Sequence, residues 1–181
     1  TVIKEEHLAD YAASSRFNPY WIDRIRGFKG LRFMDWMRTN HATLSEWSGR
    51  PKPSDFTYAE KGVPVEIQVA LANELSIDPW FNVPHLADDA FVRAFAEYVK
   101  DNLDPNLKAY VEFSNEVWNW QFSQARWADE HALARWGQKD AWVQYYALRA
   151  TQVAQIWTEV FANEAAQRLV NVISTQTGWI G

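Results

Sequence analysis

A chain of 181 residues with 48% hydrophobic content fits one domain and is long enough to bury a sizeable core. Its net charge of −5 and pI near 5.4 argue against nucleic acid or an anionic membrane surface as a partner. With no cysteine, disulfides, thiolate catalysis and cysteine metal sites are excluded.

In chain order, Asn18 is a plausible N-cap with Pro19 at the first helical position, and Tyr20 to Arg26 carries a helix to Gly27. Leu31 to Trp36 reads as a short apolar strand. A long loop, His41 to Gly62, follows and carries Trp47, Pro51, Pro53 and Tyr58. Pro64 opens a helix to about Leu75, and Trp80 to Val83 is a strand fenced by Pro79 and Pro84. Asp88 or Asp89 caps a helix whose Phe91, Val92, Phe95, Tyr98 and Val99 recur at core spacing, with Asp104-Pro105 as its stop. Lys108 to Ser114 alternates as a strand. Two helices come next, about Ser123 to Trp136 and Gln138 to Glu164, separated at Gly137. Leu169 to Thr175 is the last strand. No linker, charge block or low-complexity tract divides 1–181, so the whole is read as one domain.

Strand–helix units in repetition imply a parallel sheet, doubly wound or closed as a barrel. The barrel is favoured, because functional-looking residues follow the strands and the loop after the first strand is long enough to wall a cleft. Nucleotide binding is disfavoured: there is neither G-x-G-x-x-G nor G-x-x-x-x-G-K among only seven glycines. No apolar run is of membrane-spanning length, and nothing at the start resembles a signal peptide. The chain begins with Thr1 rather than Met, which suggests a processed product or an internal fragment.

Chemistry concentrates in Tyr110-Val-Glu-Phe-Ser-Asn115-Glu116-Val-Trp-Asn119. The strand delivers an Asn-Glu pair to its C-terminal end beside Trp118 and Trp120. A carboxyl group at a strand tip among aromatic rings suits a proton donor for glycosidic oxygen; the plainer alternative is a carboxylate that caps the following helix. Eleven tryptophans are the oddity of the composition. Trp142 and Trp157 sit at helical spacing with Tyr146, Val153 and Val160, a core stripe. Trp47, Trp80, Trp118, Trp120 and Trp179 fall in loops or at strand ends, where flat faces can stack on sugar rings. Of the four histidines, His85 follows a strand and is a candidate sugar contact, whereas His7, His41 and His131 show no metal-ligand spacing. Neither a metal nor a cofactor is expected. Ser114 lacks a nucleophile elbow.

The Tyr110–Asn119 stretch resembles the fourth-strand signature of the retaining (β/α)8-barrel glycoside hydrolases of clan A, in which an Asn-Glu pair ends that strand. Pro79-Trp-Phe-Asn-Val-Pro-His-Leu-Ala-Asp-Asp89 is similar to the text that accompanies it in bacterial cellulase-like and cellulose-binding proteins. By rhythm the resemblance covers most of the chain, with Leu31–Trp36, Trp80–Val83, Lys108–Ser114 and Leu169–Thr175 as strands two to five of a partial TIM barrel.

That resemblance implies Glu116 as general acid/base, Asn115 on the sugar 2-hydroxyl, and Arg32 as an orienting arginine. For Arg32 an inward ion pair with Glu112 is equally open, and the two roles are compatible. It also implies a β-linked polysaccharide as partner and an extracellular place of action. The family's nucleophile ends the seventh strand, beyond the fifth reached here, and a whole barrel takes about 250 residues. Glu112 is no substitute: four residues of extended strand at about 3.3 Å each put its backbone roughly 13 Å from that of Glu116. Retaining chemistry needs carboxyls about 5–5.5 Å apart. Two functions are therefore expected: the acid/base half of a glycosidase, inactive by itself, or a non-catalytic polysaccharide-binding barrel. Open barrel edges predict self-association.

Overall fold

Four β-strands pair side by side in chain order, all parallel, in a computed structural model that describes residues 4–12 and 16–178. They are β1 (Gly30–Arg32), β2 (Asp78–Val83), β3 (Ala109–Phe113) and β4 (Leu169–Val172). The helices are α1 (Leu8–Ala12), α2 (Pro19–Ile25), α3 (Val65–Leu75), α4 (Asp89–Asn102), α5 (Ser123–Trp136), α6 (Trp142–Phe161) and α7 (Ala165–Arg168). The fold is mixed α/β, with parallel strands alternating with helices. Each crossover advances one strand in the same direction, and right-handed crossovers of that kind put their helices on one face.

Local chemistry sets the element ends. Asn18 accepts from the Tyr20 amide and Pro19 needs no partner for a missing N–H, so α2 starts there. Asp88 Oδ1 accepts from the Phe91 amide at 2.6 Å to open α4. At the end of α5, Gly137 takes φ 67° and donates to Leu133.

The two faces of the sheet differ because strand side chains alternate. Phe81, Val83, Ala109, Val111 and Phe113 are buried beneath the helices. Phe81 stacks on Trp157 and meets Phe95 edge-on, and Phe113 stacks on Tyr146. Trp157 is the largest fully buried side chain, as its helical stripe predicts. On the opposite face the register aligns Arg32 with Trp80 and Tyr110, and Asn82 with Glu112.

Several boundaries differ from the sequence expectation. The first strand stops at Arg32 because Phe33 to Arg38 turns, with Met37 donating to the Phe33 carbonyl. Pro79 lies inside β2 rather than before it, and its imide nitrogen asks for no ladder bond. The long helix begins at Trp142 instead of Gln138, after Asp140 at φ 58°, and ends at Phe161. The last strand ends at Val172, three residues early. The 41–62 segment is a loop with one 3-10 turn, Trp47–Gly49, and ends at Gly62 against the turn that follows β1, just before α3. There φ is 90° and a Cβ would stand 2.4 Å from the Trp36 carbonyl oxygen, so the close approach requires glycine. No described helix is long and apolar enough to cross a membrane.

Candidate active site

β3 continues its ladder one residue past its end, the Ser114 amide donating to Val83 at 2.8 Å, and then breaks sharply. Ser114 and Glu116 both take positive φ, 59° and 41°. Side chains with a Cβ are rare in that region and persist where surrounding contacts over-determine them. Arg38 (φ 50°) and His41 (φ 56°), on the loop after β1, are similarly strained. The two loops meet through Asn115 Nδ2, which donates to Asn40 Oδ1 at 2.9 Å.

Glu116 is half-buried. Its Oε2 accepts from Asn119 Nδ2 at 3.1 Å, and its carbonyl accepts from the Asn119 amide at 2.8 Å. Asn119 Oδ1 in turn accepts from the Gln121 amide. A tight turn thus holds the carboxylate near the sheet's C-terminal edge before α5 begins.

Beneath it lies Glu112, 1% exposed. Its Oε2 accepts from Arg32 Nη2 (2.7 Å), Arg32 Nε (3.2 Å), Trp80 Nε1 (2.9 Å) and Asn82 Nδ2 (2.8 Å). Its Oε1 accepts from Ser174 Oγ at 2.7 Å. Buried and with both oxygens engaged, Glu112 is a scaffold. Arg32 Nη2 also donates to Asn115 Oδ1 at 2.9 Å, and the guanidinium lies 5.3 Å from the Trp80 ring centroid. The ion pair with Glu112 and the contact to Asn115 are therefore made by the same Arg32 group. A second amide joins them: Gln124 Nε2 donates to Asn40 Oδ1 and to the Asn115 carbonyl, both at 2.8 Å.

Of the residues expected at the site, Arg32, Trp80, Asn115 and Glu116 are gathered along the β1–β2–β3 edge. Asn115 is 4% exposed and anchored through both ends of its amide. Trp80 is part of β2, stacked on Tyr110, with its indole N–H committed to Glu112. Trp118 is half-buried, and Trp120, 41% exposed, meets Trp142 edge-on at 5.0 Å. Trp179 lies outside the described residues. His85 is 3% exposed, packed edge-on to Trp127, and its Nδ1 is buried without a partner. Burial, aided by the His41 and His131 rings, pushes its pKa down to about 4. It is a neutral packing residue in this fold. Trp47 stacks on Phe95 under Arg50 rather than facing the site.

Sequence reasoning passed over Asn119, Asn40, Gln124, Asn82 and Ser174. Asn119 carried a usable signal, an amide three residues after the carboxylate in a turn. The rest act across long sequence separations and leave no local pattern. Extending β3 straight to position 116 was also inaccurate, because the positive φ values at Ser114 and Glu116 bend the chain away from the strand direction.

Among the described residues no group of three His, Asp or Glu side chains is placed to hold a metal ion. Compared with protein-family models, with curated proteins and with solved structures, the chain matches none.

Proposed function

We propose that this chain is the acid/base half of a retaining glycoside hydrolase acting on β-linked polysaccharide, its sheet forming part of a (β/α)8 barrel. The observation that carries this is Glu116: a half-buried carboxylate in a strained turn at the C-terminal end of a parallel strand, steadied by Asn119. Barrel enzymes build their sites at that end. The strand order β1-β2-β3-β4 without reversal suits a singly wound barrel better than a doubly wound sheet, which reverses at a switch point.

In the first step Glu116 protonates the leaving glycosidic oxygen, and in the second it takes the proton of the attacking water. Asn119 holds Oε2, which leaves Oε1 to carry the transferred proton. Asn115 has two amide hydrogens and Asn40 uses one, so the other remains for the sugar 2-hydroxyl. Arg32 and Glu112 fix that amide from below. The nucleophile, by the resemblance, comes from a barrel strand beyond β4. Among the described residues each outer strand, β1 and β4, pairs along one edge alone, and the other edge is the route for self-association. A polymeric substrate places the reaction outside the cell.

Glu116→Gln in the full-length protein should abolish hydrolysis while binding of oligosaccharide stays near that of the parent, read by product release and by calorimetry. Hydrolysis that survives the change removes Glu116 as proton donor. Non-catalytic polysaccharide binding is the second reading, favoured by the full engagement of Glu112 and the partly exposed Trp80, Trp118 and Trp120. It predicts retention on polymer with no new reducing ends.

A further inference from the structure

A cleft of about 150 Å3 reaches Asn40, the hydrogen-bond partner of Asn115, and its polar lining is Arg38, Asn40, His41, Thr43, Glu60 and Lys61. Hydrogen bonds already made decide what this lining still offers. Asn40 Oδ1 is occupied by the amides of Asn115 and Gln124, and its Nδ2 meets Met34 Sδ at 3.8 Å, so Asn40 has one N–H left to give. His41 Nδ1 accepts from the Ser123 amide, which puts the ring proton on Nε2 and makes that nitrogen a donor. Lys61 spends one ammonium hydrogen on the Gly49 carbonyl and keeps two. Arg38 is exposed, and its guanidinium has no ion pair or hydrogen bond among the described residues. Only Glu60 is purely an acceptor. In a chain of net charge −5, a donor-rich pocket with two cations against one carboxylate is a local reversal of sign.

We infer that this cleft binds an anionic group on the saccharide, the carboxylate of a uronic acid or a sulfate ester, next to the unit that meets Glu116. The inference rests on the saccharide-binding reading above and narrows its substrate class. An oxyanion offers only acceptors, and charge-assisted bonds from guanidinium and ammonium are the stronger kind. Asn40 links the two places physically: it lines the cleft and also fixes the Asn115 amide. Occupancy of the cleft by an anion therefore sets the neighbouring ring against the Asn115–Glu116 turn.

The test is calorimetric titration of the full-length protein with trigalacturonate, with sulfated cellotriose and with neutral cellotriose. At least one anionic probe should bind about tenfold more tightly than the neutral one, with affinity falling as salt rises. A preference between the two probes tells carboxylate from sulfate. Arg38→Asn, a residue that tolerates the positive φ, and Lys61→Gln should each remove that advantage and leave cellotriose binding unchanged. Glu60→Gln should strengthen binding of the anionic probe. Equal binding of neutral and anionic probes, or an advantage that survives both cation variants, overturns the inference and leaves the saccharide reading standing. Failure of all three to bind counts against both.

Discussion

Two buried titratable groups sit on opposite sides of the same sheet, and the fold treats them in opposite ways. On the helix side His85 is packed against Trp127 with an unpartnered Nδ1, and burial keeps it neutral. On the other face Glu112 is buried as deeply but collects five donor contacts, one pair of them from a cation. An apolar layer needs shape and tolerates one polar atom if it carries no charge; a face that must hold a carboxylate needs a complete shell of donors. The second arrangement is what positions Asn115 and Glu116, because Arg32 serves Glu112 and Asn115 together.

Removing the carboxylate is the most forceful way to break this contrast. Glu112→Leu keeps the volume but strands Arg32, the Asn82 amide, the Trp80 indole N–H and the Ser174 hydroxyl. Loss of about 3–4 kcal/mol is expected, mainly because the buried Asn82 amide and the half-buried Trp80 and Ser174 donors lose their acceptor, while Arg32, a third exposed, regains water. Glu112→Gln keeps one acceptor oxygen and should lose less. Urea unfolding monitored by tryptophan fluorescence measures both. If the leucine variant is as stable as the parent, the shell is decoration and Arg32 is not held by it.

The helix side gives the next effect, through pH. The His85 pKa is about 4 in the fold, against about 6.5 for the unfolded imidazole. Between those values the unfolded chain binds more protons, so stability falls as pH drops from about 6.5 toward 4. The fall amounts to about 3 kcal/mol, and above the unfolded pKa the contribution is complete. His85→Phe should flatten this part of the pH–stability curve, measured by thermal unfolding at each pH. A parent protein with a flat curve over that window, or a slope unchanged in the variant, contradicts the account.

The helix side was far more legible in the sequence than the polar face. Phe91, Val92, Phe95 and Val99 announce the stripe of α4 by spacing, Asn18-Pro19 and Asp88 mark helix starts, and the alternation through Ala109, Val111 and Phe113 gives β3 its inner side. Hydrophobic period reports which residues are buried, which is what an apolar core requires. The Arg32–Glu112 pair was also readable, as two opposite charges on strands whose polar side chains share one face. The rest of the polar face depends on which amide meets which across 30 to 84 residues of sequence, as in Asn82 with Glu112 and Gln124 with Asn40. Such contacts are fixed only once the register aligns β1, β2 and β3. His85 misled for the same reason: a position after a strand suggests a cleft, but Trp127 on α5 covers it. No glycine marks the turn at Ser114–Glu116, so its positive φ values had no signal in composition.

That absence of glycine gives the smallest and most diagnostic effect. At a positive φ a Cβ costs about 1 kcal/mol that glycine does not incur. Glu116→Ala keeps the Cβ and loses the carboxylate with its bond from Asn119, whereas Glu116→Gly loses both. The glycine variant should therefore be more stable than the alanine variant by about 1 kcal/mol, the difference isolating backbone strain from the lost hydrogen bond. Ser114→Gly should gain similarly, since its buried hydroxyl has no hydrogen-bond partner to lose. Paired melting curves of the Gly and Ala variants read this directly. A glycine variant no more stable than alanine would mean that the turn stores no strain at position 116. If the gain is found, the chain keeps a costlier residue where glycine would relax the turn, and its carboxylate rather than its backbone fit accounts for glutamate there.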